Sequence, residues 1–126
     1  MHFVYVKVPL RHMDRPALDA LHLALEDALA AAGAGSLVGW GTSVPTPTSS
    51  LNDPHAFHRM DLDLADLQAA LGVVRDTLMQ RELPPGTELH YTAEGTAVQM
   101  SLAQGVWSPP VPRATPGRPL ASRSQA

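Results

Sequence analysis

Near the start of the chain Phe3, Tyr5 and Lys7 alternate with Val4, Val6 and Val8, the period-two signature of a strand with one apolar and one mixed face. The valines are expected to face the interior. From Pro16 to Ala32 the period changes: Leu18, Leu21, Leu25, Ala28, Leu29 and Ala32 fall on one stripe of a helix, with Asp14 or Arg15 at its start and Gly33 and Gly35 at its end. A short strand follows over Leu37–Val44, weakened by Gly39 and Gly41, whose missing side chains let something approach its backbone. The same order then repeats. Met60, Leu62 and Leu64 alternate with Asp61 and Asp63 in a strand over Phe57–Leu64, whose second face is therefore anionic. Leu67, Ala70, Leu71, Val74 and Leu78 stripe a helix over Leu67–Glu82, capped by Asp63 or Asp66, and Pro84, Pro85 and Gly86 precede a strand over Thr87–Thr92.

Two strand–helix–strand units in about ninety residues predict an α+β sandwich of βαββαβ order. It would be a four-stranded antiparallel sheet with two helices on one face, leaving the other face open. Ala97–Leu102, reached through the turn Ala93-Glu94-Gly95, adds an edge strand. Residues 1–107 thus make a single domain. Residues 108–126, rich in Pro, Arg, Ser and Ala, read as a disordered tail, and Pro45–His55, with three prolines, reads as a long exposed and mobile connection.

Charge narrows the partners. Twelve acids all lie at or before Glu94, against six Lys/Arg up to Ser108, a net of −6 for that part of a chain whose formal charge is −3. An acidic body repels phosphate, so no nucleic acid is expected as a partner and a basic protein surface fits better. Phe3 and Tyr5 occupy the face on which RNA-recognition domains stack bases, but Asp61 and Asp63 stand there where such domains carry basic residues. The 126 residues include no cysteine, which excludes disulfides, a thiol nucleophile and cysteine-ligated zinc. No apolar run approaches the roughly 20 residues that span a bilayer, and the first residues do not read as a cleaved signal, so the expectation is a cytoplasmic protein with no membrane partner.

The segments Gly39-Trp40-Gly41-Thr42, Met60-Asp61-Leu62-Asp63-Leu64-Ala65-Asp66-Leu67 and Leu83-Pro84-Pro85-Gly86-Thr87-Glu88-Leu89-His90-Tyr91 resemble those of a group of small, largely uncharacterised bacterial ferredoxin-like domains. The resemblance covers about residues 3–92. It implies the ferredoxin-like βαββαβ fold, and some members of the group resemble toxin-immunity or accessory proteins. No catalytic motif comes with it, and Trp40 stands where other members have a second glycine.

Linear motifs for chemistry are sparse. Asp53, His55, His58 and Asp61 bracket a short stretch with metal-ligand residue types, but histidines three apart share a side only on a helix, and Pro54 and the following strand oppose one. These are therefore read as solvated loop histidines, and neither a metal nor another cofactor is expected. Asp61 and Asp63 share a strand face and could form a carboxylate pair, His90 shares a face with Glu88 or lies beside Asp61, and His22 falls at the flank or outer side of its helix. Gly33-Ala34-Gly35 closes a helix rather than opening one, so it is a cap and not a phosphate cradle. There is no Walker loop, nucleophile elbow or HExxH.

The expectation is accordingly a non-catalytic protein-binding module, an immunity or accessory protein that engages a basic partner, a toxin or a second copy, through its acidic open sheet face. Tyr5, Trp40, Asp61, Asp63 and His90 are the binding residues, with no catalytic residue. The alternative is a small ferredoxin-like enzyme or ligand-binding dimer using His58, His90, Asp61 and Asp63 in a pocket beside the 45–58 loop. A third reading is an accessory subunit held through its proline-rich tail.

Overall fold

A computed structural model describes residues 1–10, 13–43 and 56–112, and the structural statements below concern these. The expected connection at 45–55, including Asp53 and His55, and the tail from 113 onward lie outside them. In chain order the elements are β1 (His2–Pro9), α1 (Arg15–Ala32), β2 (Gly35–Ser43), β3 (Phe57–Leu64), α2 (Leu67–Met79), β4 (Thr87–Ala93), β5 (Thr96–Ala103), β6 (Val106–Trp107) and β7 (Val111–Pro112).

Each helix is delimited by the residues that its sequence supplies for the purpose. The Asp14 carboxylate accepts from the Ala17 backbone N–H at 2.9 Å, and Pro16 in the first turn has no N–H to leave unsatisfied. Gly33 closes α1 in the left-handed region at φ 59°, where a side chain would be strained. For α2 the cap is Asp66, which accepts from the Ala69 N–H at 3.3 Å. The helix stops at Met79, short of the expected Glu82. Pro84 and Pro85 follow closely, and a residue before proline is driven away from helical geometry.

The strands form one antiparallel sheet in the order β2-β3-β1-β4-β5-β6, with β7 also pairing with β5. Val4, Val6, Met60, Leu62, Leu64, Leu89 and Met100 line one face and merge with Leu21, Leu25 and Leu29 of α1 and Leu71, Val74 and Leu78 of α2 into one core. Both helices therefore lie on the same side of the sheet, as the two leucine stripes require. The α+β architecture is as expected, but the sheet has seven strands rather than four plus one. Trp107 lies opposite Leu102, its indole N–H reaching the Arg75 carbonyl at 3.4 Å. Val111 and Pro112, at the start of the segment read as tail, pair with Gln99 and Val98. Short pairings of this kind leave no periodicity to read. Among the described residues no helix is long and apolar enough to cross a membrane.

Candidate functional site

The face of the sheet away from the helices carries one continuous cross-strand row. Gly39, Asp61, Tyr5, His90 and Gln99 stand opposite one another on β2, β3, β1, β4 and β5. Beside it run Gly41, Arg59, Lys7, Glu88 and Ser101, and at the other flank Ser36, Asp63 and Phe3. Directly opposed residues on one face are close enough for their side chains to interact. Tyr5 and His90 stack, with ring centroids 4.5 Å apart and planes inclined by 6°. The Arg59 guanidinium lies 4.0 Å from the Tyr5 centroid while its Nε donates to Asp61 at 2.7 Å. His90 is only 4% exposed, and its Nε2 lies 2.8 Å from a Glu88 carboxylate oxygen. Lys7 sits over the Phe57 ring at 4.3 Å.

Four of the five residues singled out from sequence, Tyr5, Asp61, Asp63 and His90, therefore share this face. His90 finds Glu88, two residues away, and the Tyr5 ring stands between it and Asp61. Asp61 and Asp63 do not act as an isolated carboxylate pair, because Arg59 takes Asp61. Asp63 is half-buried and forms no ion pair among the described residues, while Phe3, opposite it, is 51% exposed. Glu88 is the face partner expected for His90, whereas Arg59 and Lys7 carry no functional expectation from the sequence. Their signal was the same two-residue alternation that placed Tyr5 and Asp61.

Trp40 lies on the opposite face. Leu37 pairs with Leu62 but Gly39 pairs with Asp61, so Val38 is an extra residue in β2, a bulge that turns Trp40 toward Met60 and the helices. There its ring stands 4.7 Å from His22. His22 is not on the outer side of α1 but 9% exposed beneath the sheet edge, and its Nε2 lies 2.7 Å from Nε2 of His58. Nor is His58 a loop histidine: it lies in β3, 3% exposed, opposite Val8. Its Nδ1 is 3.3 Å from the Thr42 hydroxyl.

Removal from water disfavours the imidazolium in both rings. Burial lowers the pKa of His58 to about 4, with a further contribution from neighbouring His22. Burial also lowers that of His22, against the opposing fields of Asp19 and Glu26 and with a small addition from Arg15. His58 and Asp61 project from opposite faces of β3, so the set His58, His90, Asp61 and Asp63 does not converge on one pocket. Asp61 likewise cannot join His58 on one metal. Among the described residues no three histidines or carboxylates are grouped as metal ligands.

Comparison of the chain with known protein families, with curated proteins and with solved structures finds no match.

Proposed function

We propose that the chain is a non-catalytic protein-binding module with a ferredoxin-like β2-β3-β1-β4 core. The helix-free sheet face engages a basic segment of a partner protein, in the manner of a cytoplasmic bacterial immunity or accessory protein. One observation carries this reading: half-buried Asp63, in no ion pair among the described residues, lies opposite exposed Phe3 and on the same face as the packed Arg59–Tyr5–His90 stack. A preorganised ring loses little freedom on binding, and tyrosine and arginine are favoured anchors at interface centres. Asp63 with Phe3 suits a lysine or arginine, whose charge meets the carboxylate while its stem lies on the ring. Gly39 and Gly41 keep the β2 side low, since a Cβ at either would meet open space.

The test is copurification from the native host, comparing the wild type with Asp63→Lys and with Tyr5→Ala. A stoichiometric partner with a basic contact surface is expected, weakened at least tenfold by either change while the thermal melt stays cooperative. A partner retained equally by both variants, or no partner at all, refutes the reading.

A further inference from the structure

On the helix side of the sheet, His22 and His58 are brought together from positions 36 residues apart, their Nε2 atoms facing each other at 2.7 Å. We propose that these two imidazoles bind a divalent transition-metal ion of the imidazole-preferring class, zinc, nickel or copper, through the two Nε2 atoms. The site is independent of the protein-binding face.

The geometry is close to what such an ion needs. With metal–nitrogen bonds of about 2.0–2.1 Å and a tetrahedral angle, the two nitrogens stand about 3.3 Å apart. Metal entry requires the two nitrogens to part by about 0.6 Å from the observed 2.7 Å. His58 is already oriented for the role. When its Nδ1–H donates to the Thr42 hydroxyl, Nε2 is left with its lone pair directed at His22, the arrangement in which a second partner fixes the tautomer of a ligating imidazole. In that tautomer of His58, His22 carries its proton on Nε2 and donates it to that lone pair at 2.7 Å while no metal is bound. Metal entry replaces this proton, which leaves Nε2 and is matched by protonation of Nδ1 on the same ring, so both imidazoles remain neutral.

The carboxylates near His22 favour a cation over an anion. His22 lies at the rim under Trp40, which is 60% exposed. Asp19 and Glu26, three residues before and four after His22 on α1, place a negative field on it, opposed by Arg15, which pairs with Asp19 at 3.6 Å. With two protein ligands and solvent completing the coordination, the ion exchanges readily, unlike one in a four-ligand structural site.

The test uses the untagged full chain titrated with zinc and with nickel by calorimetry, with Trp40 emission as a second signal. One equivalent is expected to bind in the micromolar range, with nickel quenching Trp40. His22→Gln should weaken affinity at least tenfold while the melt stays cooperative. His2→Gln, at an exposed histidine outside the pair, should leave it unaltered. Trp40→Phe should abolish the quench but keep the calorimetric binding. Nitrogen-15 spectra should show both Nε2 resonances, of His22 and His58, shifting on addition of zinc, which keeps the test decisive if His58→Gln fails to fold. No saturable binding, binding insensitive to His22→Gln, or zinc shifts at other imidazoles alone would overturn the proposal.

Discussion

Among the described residues His58 is the side chain whose protonation is most strongly altered by folding, and its effect on stability has a definite sign. In the unfolded chain its pKa is about 6.5, whereas in the folded protein burial and His22 hold it at about 4. Above pH 6.5 both states are neutral at this site and it contributes no pH dependence. Between 6.5 and 4 the unfolded chain takes up a proton that the folded protein refuses, so stability falls with falling pH across that window. The displacement corresponds to an upper bound of about 2 kcal/mol by pH 5, and screening at a sheet edge reduces it to roughly 1–2 kcal/mol. His22, buried against the opposing fields of Asp19 and Glu26, acts in the same direction. Urea denaturation at pH 7 and pH 5 should show this loss in the wild type and a smaller one in His58→Gln. Parallel profiles for the two proteins would contradict the assignment.

Among the elements, the helices were the easiest to anticipate because capping and stripe agree. Asp14 holds the Ala17 N–H at 2.9 Å, whereas Asp66 holds the Ala69 N–H at 3.3 Å. Asp14→Ala is therefore expected to cost about 1 kcal/mol and Asp66→Ala a few tenths, measurable as shifts in the urea midpoint at constant slope. A larger loss for Asp66→Ala would reverse that ranking. The strands were equally readable where alternation is unbroken: β3 begins and ends where Phe57–Leu64 predicted. In β2 a single unpaired residue, Val38, defeats the period-two rule, and every side chain after it changes face. That is why Trp40 was grouped with Tyr5 and stands instead against His22. The imidazole pair was hidden for a related reason. His22 follows Leu21 by one position, and His58 stands next to a loop, so neither residue's neighbours reveal that α1 and β3 bring them together. Gly35 shows a constraint of the same long-range kind, since a Cβ there would collide with the Asp63 carbonyl oxygen.

In the assembled molecule β3 serves both surfaces at once, with Asp61 and Asp63 on one side and His58 on the other. The core of Met60, Leu62, Val4 and Val6 lies between the sheet and the helices and is fully buried, so it resists small displacements. The side chains of the two sites share no hydrogen bond among the described residues. Such sites combine additively to within about 0.3–0.5 kcal/mol, a factor of about two in affinity. Asp63→Lys should therefore weaken partner capture at least tenfold while changing zinc affinity less than about twofold, and His22→Gln should do the converse. The double variant should lose both activities, each by the amount seen in the single variant. If zinc instead altered partner affinity by tenfold, β3 would have to shift as a unit between two positions, since only a movement of its backbone could carry the change through the sheet. Measuring partner affinity with and without saturating zinc, in the wild type and in His22→Gln, separates a rigid two-sided sheet from a coupled one.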